Sequence, residues 1–554
     1  MLVVILQAAG GCTLNWYGKD ADRTAYSAIS SAQDAAIGKA GGFSVKYRPF
    51  GSEKDGRIVV GKKVIRIGSG KVQALELDEC LEIAFRNSRG FQTEKEGLFS
   101  TALAVASDRR SWSWPLLAGQ ITGEADETRV RKGANTTESG EAQGAATLTQ
   151  RLITGGVLVL GATLDFATDF LGSDGITAGS LIDANFTQPL LRGAWRGLAY
   201  EDQYRLERDF LFAVFEYERF TQTFAAGIID EYYSVLQQRD QLANEAANIE
   251  RLKDTLALTR VQAEGGQVSR IQQDQAEQNL ISAQVRYETN RQNYHDALDD
   301  FKLALGLPVE AQIELDYPGA LEALVKAGPK LIGVKEPEAV GIAMSVRPDV
   351  LGERAELRDA ERDVDIAADN FLPQLDVEFD LSAPSVAPKN LHEVRFDRRT
   401  LVNSVTLQYD IDQTDNRNTY RNAVIAMERA RRDFAEFEDG VRVEVRQAYR
   451  TLLRSRRNYE LQVRNVEIAK RRRKLASLQQ KEGQASARDV LEAEEDLRAA
   501  QNGLTTAVID YTTTRLTFLA SLGMISVNEK GKVHERAEPF RFDRIQRRYK
   551  YAGK

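Results

Sequence analysis

Cysteine, histidine and proline are scarce. The 554 residues hold two cysteines, Cys12 and Cys80, three histidines and 12 prolines. Two thiols so far apart build neither a disulfide framework nor a metal site. His295, His392 and His534 are dispersed, and His392-Glu393 lacks the second His of a zinc motif. No nucleophile elbow or Cys/His constellation marks an enzyme, and no cofactor or metal is expected. Residues 56–63 (GRIVVGKK) come near a phosphate loop, but Lys63 stands where Ser or Thr would hold magnesium. There is also no run of about 20 apolar residues, so a transmembrane helix is excluded and any membrane insertion must be by β-strands or lipid. A net charge of −7 and a pI near 5.5 give no reason to expect nucleic acid. The basic run 470–474 (KRRRK) reads as a solvated or helix-pairing face.

What is abundant is charge, at 28% of residues, and in the second half Ala, Glu, Arg and Leu. That composition favours long helices over several compact cores. Cys12 follows LVVIL and the small residues Ala8-Ala9-Gly10-Gly11, and residues 1–12 are read as the remnant of a lipoprotein signal with Cys12 lipidated. Cys80 reads as a small buried hydrophobe. Residues 13–74 show little periodicity and are expected to be an extended or loosely ordered arm. A helix opens near Leu77, with Leu77, Leu81, Ala84 and Phe85 at helical spacing. Residues 108–147, polar and Gly-rich, read as a long loop or partly disordered insertion. Alternation over 152–171 and 176–189 predicts a β-hairpin. From 193 to 263 apolar residues recur at coiled-coil spacing without a proline, which predicts a helix of roughly 105 Å. Gly265-Gly266 breaks it and a return helix runs to Leu305. The pattern then restarts: a helix at 337–370, strands at 375–381 and 401–411, a long helix at 416–480, a tip at Gly483 and a return helix at 486–522.

The halves align. At an offset of 217 residues, Tyr232 meets Tyr449, Gly266-Gln267 meets Gly483-Gln484, Ser269 meets Ser486, and Leu305-Gly306 meets Leu522-Gly523. Upstream, Ile83-Ala84 meets Ile342-Ala343 at an offset of 259. The offsets differ by the size of the polar insertion. The chain therefore reads as two copies, 75–306 and 337–523, of helix, strand pair, long helix, tip and helix, joined by 307–336 and followed by a tail, 524–554. Four strands expose two edges and cannot close or sit in lipid alone, so strands entering a membrane require oligomerisation. Three such chains would supply about 12 strands, within the range of closed membrane barrels.

The segments LELDECLEIAFRNS (75–88), NFTQPLLRG (185–193), VRPDV (346–350), NFLPQLDV (370–377) and GQASARDVLEAEEDL (483–497) resemble the TolC family of outer membrane efflux proteins. The resemblance spans about 75–525, twice, in order. It implies an α+β membrane protein: a homotrimer whose four strands per chain close a 12-stranded β-barrel in the bacterial outer membrane, continued by long antiparallel coiled-coil hairpins that form an α-helical tunnel across the periplasm. It implies partners as well, a periplasmic adaptor and an inner membrane transporter, with outer membrane lipid around the barrel. Carried over by position, the tips Gly265, Gly266, Gln267, Gly483 and Gln484 would contact the adaptor. Asp489 and Glu492 would form the periplasmic gate. Asp and Glu at i, i+3 share a helix face, and threefold symmetry would gather their carboxylates into one ring that favours cations. The first copy has Gln272 and Gln275 there instead. A departure is Asp412-Gln413-Thr414-Asp415-Asn416, where family members usually carry a Gly-rich turn. Trp112 and Trp114 read as interfacial anchors or as loop packing.

Two functions remain at this stage. One is an exit duct of a tripartite efflux or type I secretion system. The other is a soluble or surface coiled-coil scaffold, in which Asp489 and Glu492 are ordinary solvated residues.

Overall fold

The computed structural model describes residues 14–37, 42–47, 57–60, 63–66, 73–129, 136–169, 176–194, 196–315, 317–328, 333–385, 396–482, 484–528 and 531–535. Cys12 and Gly483 lie outside them. In chain order come α1 (Leu14–Ile37), β1 (Arg57–Val60), β2 (Lys63–Arg66), β3 (Gln73–Leu75), α2 (Leu77–Asn87) and α3 (Arg89–Ser113). The strands β4 (Leu116–Arg129), β5 (Thr136–Arg151), β6 (Val157–Asp169) and β7 (Ile176–Pro189) follow, then α4 (Arg196–Ala199), α5 (Glu201–Glu264) and α6 (Arg270–Ala304). The middle holds β8 (Ile313–Leu315) and α7 (Tyr317–Ala327). The second half holds α8 (Glu336–Val346), α9 (Pro348–Asp369), β9 (Gln374–Pro384), β10 (Thr400–Gln408), α10 (Thr414–Lys481), α11 (Ala487–Ser521), β11 (Ile525–Val527) and β12 (Val533–Glu535).

Helix ends repeat at the offsets read from the sequence. The C-termini of α5 and α10 differ by 217, as do both ends of α6 and α11, and α2 and α8 match end for end at 259. Matching residues do matching work. Tyr232 packs against Phe301 at 6.2 Å between ring centroids, and Tyr449 against Phe518 at 5.8 Å. Gly306 and Gly523 end their helices with φ of +71° and +70°, a conformation glycine adopts without a Cβ clash. Leu305 and Leu522 beside them are fully buried.

Three expectations are corrected. The arm at 13–74 is not simply extended: Leu14–Ile37 is helical, and Ala25, Ala28 and Ile29 bury against α3 and α5. Small residues at i, i+3, i+4 give a weak hydrophobic signal, which is why periodicity missed it. The insertion at 108–147 is not a loop: it forms the end of α3 and most of β4 and β5. Accordingly the described residues form not four but six strands in one antiparallel sheet, ordered β10-β9-β7-β6-β5-β4. Among the described residues the β4–β5 hairpin has no counterpart in the second half.

The long helices form a layer. α6 packs on α5, α5 on α11, and α11 on α10. At 64 and 68 residues, α5 and α10 span about 96 and 102 Å. The apolar core is concentrated where the helices meet α2, α8 and β8: Tyr232, Leu236, Phe301, Leu305 and Ile83 are essentially inaccessible there. Toward the tips the clusters shrink to Leu252, Ala276, Ala283 and Leu491, and to Ala476, Val490 and Ala493. The sheet sits at the opposite end from the tips, because each strand pair is entered from α3 or α9 and left into α5 or α10.

Candidate functional site: the helical tips

At the first tip, Gly265 N–H donates to Val261 O at 3.0 Å and Gly266, with φ +70°, donates to Ala263 O at 3.1 Å. Gln267 N–H then reaches back to Gln262 O at 2.8 Å. At the second tip Gln484 N–H reaches Gln479 O, also at 2.8 Å, and Glu482 N–H reaches Leu478 O at 3.2 Å. These bonds satisfy carbonyls that a helix end leaves free.

The return helices differ. Ser269 precedes α6 without a side-chain cap. Ser486 caps α11 in a reciprocal box. Asp489 N–H donates to Ser486 Oγ at 3.3 Å, while Ser486 N–H and Oγ–H donate to Asp489 Oδ2 at 2.8 and 2.7 Å. The Ser486 hydrogen bonds hold the Asp489 carboxyl below the usual carboxylate range. One of the two acids singled out by sequence therefore has a structural task. The other, Glu492, is exposed and takes Arg472 Nη2 at 2.9 Å from across the hairpin, and Arg472 also pairs with Asp496. The KRRRK run thus includes helix-pairing residues. Asp489 and Glu492 lie on one turn of α11, on the hairpin whose partner helix carries the basic run.

Above them lies a charged network that sequence reasoning missed. Glu494, 3% exposed, takes Arg473 Nε at 2.8 Å from α10 and pairs with Arg251 of α5. Glu245 on α5, fully buried, takes Arg286 of α6 at 3.2 Å and Arg498 of α11 at 3.5 Å. The two hairpins are thereby tied to each other by ions. In charged helices such acids carry no sequence signal that separates them from solvated neighbours.

A second cluster explains the VRPDV segment. Arg347, 4% exposed, sits at the break between α8 and α9, with Asp349 Oδ2 at 2.6 Å, Glu444 Oε2 of α10 at 2.7 Å and Ser521 O of α11 at 3.4 Å. Pro348 fits the first turn of α9, where no N–H is needed. Burial pushes the Asp349 carboxyl up, but the hydrogen bond and charge of Arg347, with the charge of Arg219, outweigh it and hold the group below its ordinary range. Where family members carry glycines, the turn before α10 is made by side chains: Thr414 N–H donates to Asp412 Oδ1 at 3.0 Å, and Asn416 Nδ2 to Asn370 O at 3.1 Å.

Where helix gives way to strand, Trp112 meets Tyr200 edge-on at 4.8 Å with the Arg151 guanidinium 5.9 Å from its ring, and Trp114 is 62% exposed. The tryptophans thus stand at the level where sheet and helices join. Among the described residues no cluster of His, Cys, Asp and Glu is arranged to hold a metal ion, and no helix is long and apolar enough to cross a membrane.

A six-stranded antiparallel sheet set on helices of this length is a fold shared with solved outer-membrane channels. The Campylobacter jejuni CmeC outer membrane channel matches with a TM-score of 0.58 over 86% of this chain and 89% of its own, at 16% identity. The open state of the Neisseria gonorrhoeae MtrE outer membrane channel matches with 0.59 over 87% and 98%, at 13% identity. The outer membrane protein VceC of Vibrio cholerae matches with 0.58 over 81% and 96%, at 14% identity. No curated protein matches the sequence. Residues 340–524, the second repeat, match the family described as outer membrane efflux protein, and with the shared fold this bears out the resemblance read from the sequence.

Proposed function

We propose that three copies of the chain form an exit duct in the outer membrane, receiving substrates from an inner membrane transporter through a periplasmic adaptor. The observation that carries this reading is the construction of the molecule as one segment of a wall. Both its layers end in open edges. The sheet ends in β4 and β10, each paired on one side among the described residues. The helical layer ends in α6 and α10, which expose Ile281, Val285, Leu461 and Ile468. Further copies would cover these edges, as a scaffold dimerising through one heptad seam would not.

In this reading the helices cross the periplasm, and the tips at Gly265, Gly266, Gln267, Gly483 and Gln484 meet the adaptor. Asp489 and Glu492 line the narrow end. Their place on the ion-tied hairpin supports a constriction held by contacts: Arg472 binds α11 to α10, and the capping box fixes the first turn. Cys12 would carry a lipid anchor.

Outer membrane fractions should contain heat-modifiable trimers that conduct in planar bilayers; a cytosolic dimer would overturn the proposal. Asp489→Ala with Glu492→Ala should raise single-channel conductance and lower cation selectivity. If both stay at wild-type values, the gate does not lie at these residues.

A further inference from the structure

We infer that the β4–β5 hairpin is part of the barrel wall, so that each copy contributes six strands and meets the next through β4 against β10. The inference rests on the three-copy assembly proposed above.

Register carries the argument. Directly paired residues point to the same side of a sheet. One register row runs through all six strands: Leu117, Leu148, Leu160, Ala184, Leu381 and Leu401. It is apolar throughout. The next row on that face, Gly119, Ala146, Ala162, Ile182 and Ala383, is apolar as well. Leu117, Leu160 and Leu401 are 76, 40 and 58% exposed, so at these positions no described residue covers the face.

The opposite face is polar on the same strands. Thr122, Gln143 and Asp165 form one of its rows, and Gln143 Nε2 donates to Asp165 Oδ1 at 2.7 Å, joining the extra hairpin to β6 on the polar side. A hairpin folded into the lumen as a plug, or laid outside the wall, would have no reason to continue both faces in register. β4 pairs with β5 over all 14 of its residues, enough to span a bilayer at barrel tilt.

Direction also fits. Antiparallel pairing runs from β4 to β10 through the whole sheet, so with an even strand number β10 of one copy lies antiparallel to β4 of the next. Three copies then close about 18 strands, within the known range, with a diameter about half as large again as 12 strands give.

The test is disulfide crosslinking between copies in outer membranes. A cysteine on the polar side of β4 (Ala118→Cys, Gln120→Cys or Thr122→Cys) is combined with one in β10 (Ser404→Cys or Thr406→Cys), and Thr163→Cys in β6 replaces the β4 member as the comparison. Oxidation should give dimer and trimer ladders for at least one β4–β10 combination and none for β6–β10. Ladders through β6 would overturn the inference and leave the duct intact. So would trimers that persist while no β4–β10 pair crosslinks. Absence of any trimer would overturn the duct and the inference together. Because deleting residues 116–151 tests the same point less gently, a second measurement uses the intact chain: barrel width in electron micrographs, about 1.5 times that of a 12-stranded barrel. A 12-strand width would refute the six-strand wall.

Discussion

At the scale of the residue, two glycines separate conformation from packing. Gly306 and Gly523 share a left-handed φ, so alanine at either costs about 1–2 kcal/mol of backbone strain. Only Gly306 is also crowded: a Cβ there would lie 2.6 Å from the Asn87 carbonyl carbon and 2.9 Å from Ser88 N, whereas at Gly523 the nearest atom is Val346 Cγ1 at 3.6 Å. Gly306→Ala should therefore lower the thermal midpoint more than Gly523→Ala, measured by circular dichroism in detergent; equal shifts would show that the Asn87 backbone gives way freely. Asp349 offers a pH test. A carboxyl whose folded pKa is depressed contributes stability above its unfolded value, about 3.9, and loses it as pH falls through the folded value. The wild type should thus lose more stability between pH 5 and pH 3, in a titration of about those limits, than Asp349→Asn does. Identical pH profiles would remove Asp349 from the junction's energetics. The repeat made these glycines legible, because identical residues at a fixed offset are visible without coordinates. The burial of Glu245 and Glu494 was not legible, since a charged residue on a long helix reads as solvated until its neighbours are known.

At the scale of the element, the two return helices differ at their first turn: Ser486 caps α11 through Asp489, whereas Ser269 makes no side-chain cap on α6. Long helices and their tips were legible because apolar spacing and Gly-Gln breaks persist over many turns. The β4–β5 hairpin was not, because its apolar face is built largely of Gly and Ala (Gly119, Gly123, Ala142, Ala146), so the period-two contrast is low and the turn-forming residues dominate the reading. The capping box yields a prediction for α11. Ser486→Ala removes the hydroxyl that accepts from Asp489 N–H and donates to its carboxylate, at a cost of about 1 kcal/mol. Hydrogen exchange in the first turn of α11 should rise about five-fold, while that of α6, whose Ser269 makes no side-chain cap, should be unmoved by Ser269→Ala. Equal responses at the two tips would mean that the box contributes nothing to the ordering of the second.

At the scale of the whole molecule, the two unlike edges decide how copies would join. A wall segment needs edges that bind one another and not themselves. α6 ends the helical layer on one side with Ile281 and Val285, 53 and 62% exposed, and α10 ends it on the other with Leu461 and Ile468, 49 and 55% exposed. At the sheet's edges, β10 leads directly into α10, and β4 is entered from α3, which packs on α5. One head-to-tail contact repeated around an axis would cover both layers at once, and closing the ring would leave no edge open. Apolar side chains so exposed in one copy gain by burial, at about 25 cal/mol per Å² of surface removed from water. Val285→Asp or Ile468→Asp should therefore weaken the heat-resistant trimer while leaving helix content unchanged, because neither side chain is part of its own chain's core. The pair combined as Val285→Lys with Ile468→Asp should recover part of the loss if the two face each other across copies. Trimers of undiminished heat resistance in both single variants would place the seam elsewhere on the helices.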